Sequence, residues 1–139
     1  STQDILVSIF EDLQQLGNKM LDFSEDQSPT ERMQQVLERS LRYIEESSEV
    51  IRLMISLALQ PDAVERLQPY IQEENERQVE ILSAVLEQLG YKDPNQEAYY
   101  LAAKLDGIAL GYISMGDDYP YEQIKQKILE EYVLDKKDS

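Results

Sequence analysis

Residues 99–115 read YYLAAKLDGIALGYISM, residues 116–120 GDDYP and residues 121–134 YEQIKQKILEEYVL: two apolar helices joined by a short turn that ends in Pro120. At about 100° per residue, Ala98, Leu101, Leu105, Ile108, Ala109 and Tyr112 share one face of the first helix. Tyr99, Ala102, Ala103, Leu110 and Ile113 fill a second face. A helix that is apolar on two sides is buried on two sides. In a chain this short, one side packs on its own domain and the other is expected to pack on a second copy. The helix after Pro120 carries Tyr121, Ile124, Ile128 and Tyr132 as one stripe, widened by Leu129 and Val133, an arc broad enough to touch a neighbour and a partner. The candidate dimer-interface residues are therefore Tyr99, Ala102, Ala103, Leu110, Ile113, Ile124, Ile128 and Tyr132. Gly107 and Gly111 each cost a helix about 1 kcal/mol relative to Ala, so a close helix approach, or a kink that opens a pocket, is expected there.

Outward from this stretch, the punctuation is all-helical. Pro29, Pro61, Pro94 and Pro120 sit where a helix begins or just before it. Ser28-Pro29-Thr30-Glu31, Asp62-Ala63-Val64-Glu65 and Asp93-Pro94-Asn95-Gln96 each place a short polar side chain three residues before Glu or Gln, the pattern of a capped N-terminus. Gly90 and Gly116 mark helix ends. Six helices are predicted, near 2–23, 29–46, 49–59, 62–89, 95–115 and 121–134, with Pro69 kinking or dividing the fourth. No segment alternates with period two for long enough to form a strand.

Composition narrows the function. At 139 residues the chain is a single domain able to bury a sizeable core. Its 28 acidic and 13 basic residues give a net charge of -15, which repels a phosphate backbone. It has no Cys and no His, which removes disulfides, the usual zinc ligands and Ser-His or Cys-His catalytic pairs. No enzyme activity and no cofactor are expected. A carboxylate-bridged di-metal bundle usually draws on Glu-x-x-His motifs, and Glu73, Glu74, Glu76 and Glu80 read as a solvated face. With no apolar run of about 18 residues and no signal-peptide pattern, a soluble cytoplasmic protein without a membrane partner is the expectation.

The remaining helices differ in what they bury. The first carries an amphipathic stripe, Ile5, Leu6, Ile9, Leu13, Leu16 and Met20, beginning almost at residue 1. The third, with Val50, Ile51, Leu53, Met54, Ile55, Leu57, Ala58 and Leu59, is nearly all apolar and reads as a central core element. On the fourth, Glu73 and Arg77 are spaced for an i,i+4 ion pair. Leu67, Ile71, Asn75, Gln78, Leu82, Val85 and Leu89 recur along it at steps of four and three, which lines up two amides with five apolar residues. Amides are mostly surface residues, yet in a cavity with a polar ligand they would find partners. Tyrosine at helical spacing is more often core or interface than ligand contact, and Met33, Met54 and Met115 more often flexible filler. The candidate ligand-binding residues are Tyr43, Met54, Tyr70, Ile71, Asn75, Gln78 and Tyr100.

The run Leu105-Asp106-Gly107-Ile108-Ala109-Leu110-Gly111-Tyr112, followed by a short turn, Pro120 and the helix from Ile124 to Tyr132, resembles the end of the regulatory domain of TetR-family transcriptional repressors. Val50 to Pro61 is similar to that family's short apolar helix and the turn after it, and Thr2 to Phe10 to the helix that leaves its DNA-binding domain. The resemblance implies a homodimer whose last two helices pair with the partner's in a four-helix bundle. It also implies a small-molecule effector bound within the helical domain, and DNA contacted only through an N-terminal helix-turn-helix domain missing from this chain. The alternative reading is a free-standing acidic helical module that binds a protein and no small molecule.

Overall fold

The computed structural model describes residues 2–134. Among them are six α-helices: α1 (Thr2–Met20), α2 (Pro29–Glu46), α3 (Ser48–Ala58), α4 (Pro61–Gln88), α5 (Pro94–Met115) and α6 (Tyr121–Leu129). A 3-10 turn over Gly116–Asp118 links α5 to α6, and a π-helical turn, Glu130–Leu134, extends α6. The chain is all-α, as its sequence predicts, and no described residue lies in a strand.

The start signals act as their chemistry requires. At α2 the Ser28 hydroxyl accepts from the Glu31 amide while Glu31 accepts from the Ser28 amide, a complete capping box. At α5 the Asp93 carboxylate accepts from the Gln96 amide at 3.3 Å. The predicted cap at Asp62 does not form, because α4 begins one residue earlier on Pro61 and Asp62 already lies in its first turn. There its charge complements the helix dipole instead. Pro69 does not divide α4, which is continuous across it.

α2 is the spine of the core. Met33, Leu37, Leu41 and Ile44 form its inner stripe, against Val79, Val85 and Leu86 of α4, Leu101 and Ile108 of α5, and Tyr121 and Ile128 of α6. The π turn brings the consecutive residues Tyr132 and Val133 both inward. Tyr132 is fully buried, and its hydroxyl donates to Glu97 at 2.7 Å and accepts from the Lys104 ammonium at 3.0 Å. Burial and then Glu97 push the Tyr132 hydroxyl far above its ordinary pKa. Tyr121 donates to the Leu41 carbonyl at 3.3 Å and stacks obliquely on Tyr112.

Two expectations about packing are corrected. α3 is not a central element: only Ile51 is buried, while Val50 and Leu53 are exposed and Leu59 is 80% exposed. Apolar density overstated its burial because α3 sits at the edge of the bundle, beside a cavity rather than inside a core. Arg77 pairs with Glu74, not with Glu73. Glu74 points inward, where a desolvated carboxylate holds a guanidinium more tightly than a hydrated one does.

The two glycines of α5 play unlike parts. A Cβ on Gly111 would run into the ring of Tyr119, which lies across that backbone, whereas a Cβ on Gly107 meets nothing within the protomer. Gly107→Ala is expected to stabilise the protomer by about 1 kcal/mol through helix propensity. Gly111→Val is expected to cost about 2 kcal/mol by displacing Tyr119. Urea midpoints of the two variants check the contrast, and equal midpoints would refute it.

Candidate functional site: a cavity beneath the first helix

The inward stripe of α1 does not close on a core. Phe10, Leu13, Leu16 and Met20 instead roof a cavity of about 560 Å³. Tyr43 and Ile44 of α2, Met54 and Ile55 of α3, Ile71, Asn75 and Gln78 of α4, and Ala102, Leu105, Asp106 and Ala109 of α5 form its walls. An apolar annex of about 210 Å³ opens from it between α1, α3 and α4, and shares Phe10, Leu13, Met54, Ala58 and Ile71 with it. This volume and its mostly apolar lining with a few polar groups are those of a small-molecule site.

Of the residues singled out for ligand contact, Tyr43, Met54, Ile71, Asn75 and Gln78 lie on this wall. Tyr70 and Tyr100 do not. Tyr70 faces outward, its ring 6.1 Å from that of Phe10, and Tyr100 is 56% exposed beneath the Lys104 ammonium, 3.8 Å from its ring centre. Both were placed by helix assignment alone, which does not fix the side of the helix.

The two amides differ. Asn75 is exposed at the cavity edge, whereas Gln78 is half-buried and donates to Glu74 at 2.9 Å. Glu74 is only 8% exposed and takes a bidentate pair from Arg77 at 2.5 and 3.3 Å. Desolvation pushes its carboxyl up, but the hydrogen bonds from Arg77, Gln78 and Gln14 and the Arg77 charge outweigh that and hold it below the usual carboxylate range. A Cβ on Gly17 would meet only the movable end of the Gln78 side chain, and α1 runs close against this pair there.

Sequence reasoning missed the two carboxylates of the wall, Asp106 and Glu74, and the apolar residues of the α1 roof. Asp106 is exposed and lines the cavity from α5, and it makes no hydrogen bond or ion pair among the described residues. The protein around it raises its carboxyl above the ordinary value. Desolvation likewise raises the Tyr43 hydroxyl. The signal available in the sequence was the position of Asp106, one turn from Ala102 and within three residues of Ala109 on an otherwise apolar helix.

The second face of α5 is left uncovered by the protomer. Tyr99 is 50% exposed, Leu110 is 51% exposed and Ala103 is exposed beside them. Ile113 and Ile124 are half-buried against the core. Three of the residues assigned to this face belong elsewhere. Ala102 turns to the cavity, and Ile128 and Tyr132, one helical turn apart, are buried in the protomer's own core.

No group of three or more metal-ligating side chains occurs among the described residues, and no described helix is long and apolar enough to cross a membrane. No curated protein and no solved structure gave a significant match to the chain. A family model described as "BetI-type transcriptional repressor, C-terminal" matches residues 29–135, from the first residue of α2 through the π turn. That span contains five of the six helices, the four helices that wall the cavity and the uncovered face of α5, so the chain belongs to the BetI-type C-terminal domains of the TetR-family transcriptional repressors, a family of regulators rather than enzymes.

Proposed function

We propose that residues 1–139 form one effector-binding and dimerisation domain, which couples a small molecule to DNA release by a helix-turn-helix domain outside this chain. The observation that carries this reading is the open cavity roofed by α1, because α1 is the helix nearest the N-terminal side, where such a domain would attach. A ligand that fills the cavity touches Phe10, Leu13 and Leu16 of its roof, so its affinity depends on where α1 lies. Differential affinity for the two positions of α1 is what shifts a population. The exposed apolar face of α5 supports self-association as a homodimer. The absence of a spanning helix among the described residues and the family membership support a cytoplasmic regulator.

Nile red, a neutral apolar dye, tests the site. Ala102→Phe places a ring into the cavity from α5, so dye affinity is expected to fall about tenfold or more while the dimer is unaffected, the cost of overpacking a filled site. Fluorescence titration and sedimentation velocity read the two quantities. Unchanged dye affinity in Ala102→Phe would contradict the cavity assignment, and loss of the dimer would return Ala102 to the interface.

A further inference from the structure

The mouth of the cavity and the uncovered face of α5 share an edge. At about 100° per residue, Asp106 lies between Ala102 and Ala109, which line the cavity, and Tyr99 and Leu110, which are exposed on the uncovered face. Asp106 is itself exposed, as are Ile71 and Asn75 of the lining on α4, so the cavity opens at the seam of α4 and α5. Leu110 and Asp106 are about 40° apart round α5, and a helix about 10 Å across laid on one reaches the other. The two flanks of the face carry opposite charge. On the α4 side, Glu76, Glu80 and Glu87 line a groove with Asn95 and Tyr99 of α5. On the α6 side, Ile124, Lys127 and Glu131 share one edge at helical spacing, and Glu131 pairs with Lys104 of α5. Lys127 is exposed and makes no hydrogen bond or ion pair among the described residues.

In a two-fold contact whose two α5 helices run the same way, each acidic flank meets Lys127 of the other copy, whereas helices running opposite ways set acidic flank against acidic flank. Like-charge juxtaposition disfavours the second arrangement. The strip of α5 from Tyr99 to Leu110 is about 17 Å long and about 10 Å wide, too little alone for the roughly 800 Å² per partner of a stable contact. The flanks are therefore drawn in. We propose that a second copy of the chain completes the effector cavity: its α6 lies along the seam of α4 and α5, sets Lys127 against the acidic flank and closes the mouth at Asp106 and Asn75. This rests on the effector and dimer readings above. Ligand binding and self-association are then coupled, because a ligand is more fully buried in the dimer than in a single protomer. Lys127 fixes the orientation of the copies more than their affinity, as an exposed charge does.

Nile red is the probe, titrated by fluorescence into the native chain above and below the concentration at which the dimer dissociates, and into Leu110→Glu, which places a carboxylate on the uncovered face and off the lining. Dilution of the native chain supplies the monomer without any substitution. The dye is expected to bind the dimer about tenfold more tightly than the monomer, the change for about 55 Å² more apolar surface covered. Sedimentation equilibrium with saturating dye should show the dimer tightened by the square of that factor, since each dimer holds two dyes. Lys127→Glu enters the contact twice and should weaken the dimer about tenfold, and adding Glu80→Lys should restore it. Equal dye affinity in dimer and monomer, with the dimer indifferent to dye, overturns the completed cavity and leaves an effector site within one protomer. Failure of Glu80→Lys to restore the Lys127→Glu dimer overturns the placement of α6. A native chain that stays monomeric overturns the dimer reading along with the completed cavity, and dye bound by neither form counts against the effector reading as well.

Discussion

Leu110→Glu is expected to convert the proposed dimer to a folded monomer. Leu110 is half-exposed on the outward face of α5, between Ala103 and Ser114 and clear of the protomer core. Within one protomer the substitution touches nothing buried, so protomer stability should move by no more than about 0.5 kcal/mol. In a two-fold interface the same residue enters twice, and each copy brings a carboxylate into an apolar contact with no base on this face to pair it. Lys104, the basic residue of α5, is held by Glu131 and Tyr132. Desolvating two unpaired carboxylates costs at least about 3 kcal/mol, a weakening of dimerisation of more than about a hundredfold. The native dimer should tighten with added salt, since two copies of a chain with net charge -15 repel at long range. Sedimentation equilibrium of native and variant chains at two ionic strengths reads both effects. A dimer that survives Leu110→Glu would place the contact on another face.

Leu37→Ala is expected to cost about 2–5 kcal/mol of folding stability, from lost transfer energy and the cavity left behind. Leu37 is fully buried at the middle of α2, where helices α4, α5 and α6 converge on that stripe. Against a total of about 5–15 kcal/mol, such a loss removes much of the margin of the protomer. Urea unfolding at fixed protein concentration, with the native chain alongside, measures it. A loss below about 1 kcal/mol would mean that the stripe of α2 is not the centre of the core. Because Ile44 of the same stripe, with Ser40 and Tyr43 beside it, lines the cavity, collapse around position 37 should also loosen that wall.

What the sequence made legible follows from which signals are local. Helix starts are set by proline and by caps within four residues, and so Pro29, Pro94 and Pro120 located α2, α5 and α6 closely. The two-faced character of α5 was equally visible, because helical period alone separates Leu101 and Ile108, which are buried, from Tyr99 and Leu110, which are not. Burial of a face depends on what else the chain can bring to it, and there local pattern gave less. The apolar residues from Val50 to Leu59 suggested a core, yet among the described residues nothing covers Val50 and Leu53 on the outer side of α3. The stripe on α1 resembled an ordinary packing surface and proved to be the roof of a cavity, a distinction that lies in the spacing between helices rather than in the residues. Ile128 and Tyr132 were assigned to the partner because their stripe was broad enough to touch both a neighbour and a second copy, whereas the protomer's own core takes both of them. Glu74 was read as one carboxylate of a solvated row. Its burial depends on Gly17 of α1 approaching from a position more than fifty residues away.

On the proposed reading α5 serves two surfaces, turning Ala102, Leu105 and Ala109 to the cavity and the exposed Leu110 and Ala103 to a second copy of the chain. Native mass spectrometry of the purified chain, over a range of protein concentrations and with Nile red added, tests both in one spectrum. Ions at twice 16.1 kDa, gaining one dye molecule per protomer, are the predicted result. Ions at 16.1 kDa alone at every concentration, with no added mass, would contradict it and turn the uncovered face of α5 toward a different protein partner.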